Sequence, residues 1–337
     1  MERRSFLQKT TATTASLLLP FTAISLADKT MVKRQEDLSF GIVSDAHHGM
    51  LPDTNQRLEK FIAEAQRKEV DFIIQLGDFC HKEPKSKTFL NTWQQFKGNK
   101  YHVLGNHDMD LSDKKEIMEF WEMPQSYYSF VEKGIRFIVL DANFLYTEGK
   151  FIDYAHANFY VDSNLRTYID EEQIEWFASE LSASVLPTIV VSHQSLWHYQ
   201  WGVKNRLSLQ KHMEKHKEKI ICCLNGHNHI DFHHHQNGID YFEINSMSYQ
   251  WIGDNFKKGQ YSEEQLIEYK WLEHIAPYQD PLFATVHIEP GKKLLIEGVK
   301  SQWVPPSPEE AGIPAQVYGN QYSPIISDYE LNLKAEN

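Results

Sequence analysis

Gly105-Asn106-His107-Asp108 follows the short apolar run Tyr101-His102-Val103-Leu104, and the reading of the whole chain works outward from this junction. Four more apolar runs end the same way, each in a residue able to bind a metal. Leu38 to Val43 leads into Asp45-Ala46-His47, Val70 to Leu76 into Gly77-Asp78, Thr188 to Val191 into His193, and Ile220 to Leu224 into Gly226-His227-Asn228-His229. Such runs predict five strands with polar tips. In open sheets, ligands gather at the carboxyl ends of strands, where loops converge and helix N-termini point inward. Asp45, His47, Asp78, Asn106, His193, His227 and His229 all take such places. They offer oxygen and imidazole nitrogen with no thiolate, a set that suits manganese, iron or zinc better than copper(I) or a cluster. A carboxylate has two oxygens, so one aspartate can bridge two ions roughly 3.5 to 4 Å apart, and Asp78 is the candidate bridge.

Between these strands the period changes to that of helices. Asp53 to Lys68 carries Leu58, Phe61, Ile62 and Ala65 on one face, with Asp53 or Thr54 as N-cap. Lys87 to Phe96, Lys114 to Trp121 and a segment from Asp170 to about Leu181 read the same way, the last opened by Asp170 and Gln173 as a capping box. Val70 to Leu76 is nearly continuous in apolar character, as expected of a strand covered on both faces. Three hairpins are expected: Tyr127–Val131 with Ile135–Leu140, Ile230–His235 with Ile239–Ile244, and Leu282–Ile288 with Lys293–Glu297, so the sheets are not all parallel. Residues 142–169 hold seven aromatic side chains without a clear period. They read as a long loop that either caps a site or packs its rings against the body. The proline-rich tail after Gln302 is expected to lie extended on the surface.

Composition sets the outer limits. With 337 residues, 41% of them hydrophobic and 13% aromatic, the chain can bury a sizeable core. A formal charge of -12 disfavours long nucleic acid as a partner, because that binding needs a basic surface. Cys80, Cys222 and Cys223 form no disulfide framework, and neighbours on a strand point to opposite faces. At the N-terminus, Arg3-Arg4-Ser5-Phe6-Leu7-Gln8-Lys9 precedes a mildly apolar stretch and a small-residue end, Ser25-Leu26-Ala27. Residues 1–27 resemble a bacterial twin-arginine signal peptide, with a plain amphipathic helix or an uncleaved anchor as the alternatives. Pro20 and several threonines make a poor membrane span, so no stable span is expected after cleavage. Such a signal implies a periplasmic or otherwise exported protein and a partner in the export machinery for folded proteins. Metal could then be loaded in a reducing cytoplasm.

The ordered series Asp45-x-His47, Gly77-Asp78, Gly105-Asn106-His107-Asp108, His193 and Gly226-His227-x-His229 resembles the calcineurin-like metallophosphoesterase superfamily over residues 38 to about 245. The resemblance implies an α/β (α+β) fold, a four-layer α-β-β-α sandwich with two mixed β-sheets. Residues 28–300 would form the metallophosphoesterase domain, and 301–337 an extended C-terminal tail packed on it. One metal ion would take Asp45, His47, Asp78 and His229, and the other Asp78, Asn106, His193 and His227. The implied cofactor is thus a pair of divalent or trivalent ions, manganese, iron or zinc. The implied chemistry is hydrolysis of small organic phosphomonoesters or phosphodiesters by a hydroxide bridging the ions. His107 would stabilise the transition state or protonate the leaving oxygen, with Asp108 holding its ring. The alternative is a non-catalytic metal-binding module that keeps the fold.

Two branches of the superfamily fit poorly, since His81 stands where purple acid phosphatases place a tyrosine and Lys82 follows it where protein phosphatases place an arginine. The bacterial phosphohydrolase and cyclic-nucleotide phosphodiesterase branch is closer. Trp197-His198-Tyr199-Gln200-Trp201 and Tyr249-Gln250-Trp251 could stack on a nucleobase or pack their loops, so a nucleotide substrate stays one option. His233-His234-His235 sits in a hairpin that sends alternate side chains to opposite faces, which argues against a single metal tract. His48 and His81 lie near ligands in sequence and could contact substrate or support the site. Cys80 reads as a small buried residue.

Overall fold

A computed structural model describes residues 36–198, 201–253, 261–314, 316–317 and 320–333. The twin-arginine stretch, and Tyr199 and Gln200 of the aromatic motif, lie outside the described residues. Five strands bear the polar tips: β1 (Leu38–Val43), β2 (Phe72–Gln75), β3 (Asn99–His102), β9 (Thr188–Ser192) and β10 (Ile220–Asn225). The first three are parallel neighbours in one six-stranded sheet. That sheet continues beyond β1 through the antiparallel hairpin β15 (Ala284–Glu289) and β16 (Lys293–Gly298) to the edge strand Tyr329–Asn332. Strands β9 and β10 run parallel inside a second six-stranded sheet. There they are flanked by β5 (Ile135–Leu140) and β12 (Ile239–Glu243), with antiparallel edges β4 (Tyr128–Glu132) and β11 (Phe232–Gln236). Both sheets are mixed, and the parallel strands at their centres send their carboxyl ends to one side of the molecule.

Alternation along each strand assigns the faces. Phe40, Ile42, Phe72 and Ile74 of the first sheet share one buried cluster with Phe137, Val139, Ile189, Val191, Cys222 and Leu224 of the second. Phe72 stacks on Phe40 at 4.8 Å and meets Phe137 edge-on at 5.2 Å, so aromatic rings lock the sheets face to face. The intervening residues Val43 and Ile73 face the other way, onto α1 (Thr54–Arg67), α2 (Ser86–Gln94) and α3 (Lys114–Trp121), through Leu58, Phe61, Trp93 and Trp121. Ile138, Val190 and Cys223 likewise face α4 (Glu171–Ala183) and α5 (Arg206–Lys215), through Phe177, Leu181, Leu209 and Met213. Helices therefore cover the outer face of each sheet, which is the four-layer order.

Three local expectations change. Residues 142–169 are not a structureless loop. They carry a small antiparallel sheet of β6 (Phe144–Thr147), β7 (Lys150–Asp153) and β8 (Arg166–Tyr168), whose short, irregular pairing hid its period. Asp170 does cap α4 by accepting from the Gln173 amide, but Gln173 does not reciprocate. Its side chain instead binds both backbone groups of Asp141, tying the helix start to the end of β5. The C-terminal segment is more integrated than a surface tail: Tyr329–Asn332 closes the first sheet, and Asn245 donates to the carbonyls of Ser323 and Ile325. The three cysteines are buried free thiols, and Cys80 Sγ accepts from Trp121 Nε1 at 3.3 Å.

Because Phe72 touches aromatic rings from both sheets, Phe72→Ala is expected to destabilise the fold by about 3 to 5 kcal/mol, read from the denaturant midpoint. An unchanged midpoint would mean that the sheets are not held together at this point.

Candidate metal centre

Strand ends from both sheets converge, and the predicted ligands converge with them. Asp45, His47 and His229 bring one ligand atom each within 4.8 Å of one another, and so do Asp78, His193 and His227. Asp78 joins the two groups: its Oδ2 lies 3.1 Å from His193 Nε2 and 3.6 Å from His47 Nε2. Asp45 Oδ1 lies 3.3 Å from His229 Nε2 and 3.9 Å from both His47 and His193. Asn106 lines the same cavity at the tip of β3. All seven predicted ligand residues are thus brought to one place.

Each aspartate is held by its second oxygen. Asp78 Oδ1 accepts the His107 backbone N–H at 2.8 Å, and Asp45 Oδ2 accepts the Ser44 hydroxyl and the His227 backbone N–H. The histidines are fixed from behind. His193 Nδ1 faces the Leu76 carbonyl at 2.7 Å and His229 Nδ1 the Tyr249 carbonyl at 2.9 Å, which places the ring proton on Nδ1 and leaves each Nε2 lone pair for a cation. Asp45, His47, Asp78, His227 and His229 all adopt positive φ, a strain of about 1 to 3 kcal/mol each that the surrounding strands impose. Glycine is required where the loops touch: a Cβ on Gly105 would collide with the backbone and carboxylate of Asp78, and one on Gly226 with Ser44 and Asp45.

The electrostatics of the centre are those of a cation site. Burial opposes ionisation of Asp45, yet the His229 and His193 imidazoles bring its carboxyl down to about 2. Burial likewise opposes protonation of His193, and Asp78 and Asp45 outweigh it, raising the imidazole to about 9. His47 and His227 go the other way, down to about 3, chiefly through burial. The buried Asp45 Oδ1 and Asn106 Oδ1 accept no hydrogen bond. A buried oxygen without a partner is costly, and Asp45 Oδ1 among three imidazoles, with Asn106 lining the same cavity, fits coordination to positive ions.

His107 stands beside the ligands on the cavity wall, but Asp108 does not hold its ring. The Asp108 carboxylate accepts three backbone N–H groups, from Asp78, Phe79 and Gly105, and so staples the β2 and β3 tips together. The ring partner is Asp110, whose Oδ2 lies 3.0 Å from His107 Nδ1. His107–Met109 forms a turn of 3₁₀ helix, in which residues three apart eclipse each other. The i,i+3 spacing was the signal available in the sequence. His81 backs Asp110 at 3.6 Å, while His48 is held by Ser86 and stacks on Phe89. His233 and His235 both face Asp240 on β12, away from the centre.

Glu243 is a further residue that no motif marks. Buried at the end of β12, it accepts from Asn228 Nδ2 at 2.9 Å and thereby braces the residue between His227 and His229. Its sequence signal is weak, an acidic residue closing an apolar strand.

The centre sits in a cavity of about 1410 Å³, walled on one side by Tyr154, Phe159, Tyr160 and Arg166 and on another by Tyr249, Trp251 and Trp271. The segment after β7 does reach the site, since Phe159 meets His107 edge-on at 5.5 Å and Tyr160 Oη lies 3.4 Å from its Nδ1.

Three strand ends from one sheet and two from the other, paired carboxylates and imidazoles, and a further histidine beside them define a metal-dependent phosphoesterase. The calcineurin-like phosphoesterase family matches over residues 38–231, more than half of the chain, and the chain belongs to that family. A manganese-dependent ADP-ribose/CDP-alcohol diphosphatase from Arabidopsis thaliana is 24% identical over 271 residues, covering 60% of this chain and 86% of that protein. Its counterpart of the same name from Oryza sativa subsp. japonica is 28% identical over 138 residues, covering 32% of this chain and 42% of that protein. Among solved structures, a dimetal phosphatase from Danio rerio superposes with a TM-score of 0.58 at 14% identity, covering 79% of this chain and 98% of that one. The chain is a metal-dependent phosphoric ester hydrolase.

Burial holds the Glu243 carboxyl up to about 7, above its ordinary value near 4.5. A raised acid stabilises the fold below the unfolded value, and that contribution is lost as pH rises through 7. In EDTA-treated protein, Glu243→Gln is therefore expected to gain stability over wild type between pH 4.5 and pH 8, by up to about 3 kcal/mol. Parallel unfolding curves for the two proteins across that range would contradict it.

Proposed function

We propose that the chain hydrolyses small organic phosphate esters, diphosphates among them, at a centre of two metal ions. The observation that carries this reading is the placement of Asp78 Oδ2 within 3.1 Å of His193 and 3.6 Å of His47, which joins the two groups of ligand atoms. One ion would be held by Asp45, His47, Asp78 and His229, the other by Asp78, Asn106, His193 and His227. The mixed oxygen and imidazole donor set admits manganese, and the manganese dependence named for the plant relatives supports it. When bound, the ions supply an activated water and draw charge from the phosphoryl oxygens.

The chain's own residues do the rest. Asp110 fixes the His107 ring through Nδ1, which leaves Nε2 to meet the leaving oxygen. Burial opposes protonation of the His107 imidazole, and the Asp78 and Asp110 charges outweigh it, raising it to about 9. Asp108 keeps His107 and Asp78 in register through the shared backbone. The relatives' names, which include ADP-ribose and CDP-alcohols, support a phosphoanhydride or diester linked to a nucleoside as substrate. Tyr249, Trp251 and Trp271 offer flat surfaces in the same cavity for a base.

The setting proposed for this activity is the periplasm of a bacterium, reached through the twin-arginine-like residues 1–27. Three free thiols and no disulfide among the described residues support folding before export. Among those residues no helix is long and apolar enough to cross a membrane. Residues 28–300 would then be the mature catalytic domain, with 301–337 packed on it.

His107→Ala is expected to retain manganese by metal analysis while turnover of bis(p-nitrophenyl) phosphate falls roughly 10²- to 10⁴-fold. Wild-type turnover in that variant would remove His107 from the mechanism. For export, N-terminal sequencing of the periplasmic protein should begin at Asp28. An intact N-terminus confined to the cytoplasm would refute this route.

A further inference from the structure

The cavity holding the metal ligands carries two cations on one wall, although acidic residues outnumber basic ones 46 to 34 in the chain as a whole. Arg166 opens β8, and Lys204 comes from the loop before α5. The Lys204 backbone N–H donates to the Thr167 carbonyl at 2.8 Å, so the two side chains are mounted side by side from separate segments. Arg166 is anchored by donating from Nη1 to the Phe159 carbonyl at 3.1 Å. Phe159 and Tyr160 in turn lean on His107, so Arg166 is tied to the segment that contacts the centre. Burial and then the Asp110 and Asp78 charges raise the Tyr160 phenol, and the Arg166 charge opposes the rise. The Lys204 ammonium is held below its ordinary range by burial and then by the Arg166 and Arg206 charges, with Asp162 as the opposing anion.

Two cations mounted together on the wall of the cavity offer an anionic ligand both charge and hydrogen-bond donors. The metal centre accounts for the phosphoryl group under attack, and a simple monoester has no second anion to offer. A diphosphate has one, directly linked to the first, and a guanidinium can take two of its oxygens at once. We propose that Arg166, with Lys204 beside it, binds the second phosphate group of a diphosphate substrate and so sets a preference for diphosphates over simple monoesters. This rests on the phosphoesterase reading above and adds to it the residues that discriminate between substrates.

The test uses the full chain loaded with manganese, on ADP-ribose and on p-nitrophenyl phosphate. Arg166→Ala is expected to lower the ratio of kcat/KM for ADP-ribose to that for p-nitrophenyl phosphate roughly 10- to 100-fold, mostly through KM for ADP-ribose. Arg166→Lys should recover part of the ratio, and Lys204→Ala should lower it by less than Arg166→Ala. Equal losses on both substrates would overturn the proposal, because Arg166 would then only be bracing Phe159 and Tyr160 against His107. An unchanged ratio would overturn it as well. A wild-type enzyme that cleaves p-nitrophenyl phosphate but not ADP-ribose would sink the diphosphate subsite and leave the phosphoesterase reading standing. Failure on both esters, with manganese bound, would sink that reading too.

Discussion

Two buried carboxylates each divide their oxygens between the fold and the ligand site, and the rest of the centre depends on that division. Asp45 gives Oδ2 to the His227 backbone, joining a tip of the first sheet to a tip of the second, and keeps Oδ1 for the imidazoles. Asp78 gives Oδ1 to the His107 backbone and turns Oδ2 toward His47 and His193. A carboxylate used in this way cannot be replaced by a neutral or shorter side chain without loosening both the loop and the cation site. The strain at five ligand positions persists because these bonds over-determine the backbone there.

Rigidity behind the site follows from the aromatic packing between the sheets. Phe40, Phe72 and Phe137 fix the sheets face to face, and the strand tips inherit that fixed spacing. A centre built on strand ends is more exact than one built on free loops, since ligand atoms must hold to a fraction of an ångström. Carbonyls from Leu76 and Tyr249 orient His193 and His229, and Glu243 steadies Asn228 between two ligands. The cavity walls are a different matter. They come from the small sheet β6 to β8 and from the segment that carries Trp251 and Trp271, both added to the strand framework. The ligand residues therefore belong to the framework, and the cavity walls to the additions.

The sequence was most informative where one side chain had one physical reason to be where it is. Apolar runs closing in Asp45, Asp78, Asn106, His193 and His227 located five strand ends, because a strand of that length must turn back at the edge of the sheet. The alternation in β1 and β2 showed which residues would meet between the sheets, and helix boundaries came within two residues for Thr54–Arg67 and Lys114–Trp121. It was least informative where partners are distant in the chain or are backbone atoms. Asp108 looked like the natural holder of the neighbouring ring. The 3₁₀ turn carries Asp110 there instead, and three amides claim Asp108.

By itself, then, the sequence determined the element order and which polar residues stand at the strand ends, since these follow from residue type and local period, and its resemblance to a family implied the class of chemistry. Only the tertiary structure decided which oxygen of Asp78 faces the imidazoles, that residues 142–169 form a sheet whose neighbouring loop walls the site, and that Arg166 and Lys204 share that wall. Contacts between segments far apart in the chain leave no periodic trace in it. They exist only once two twisted sheets have packed and brought their strand ends within bonding distance.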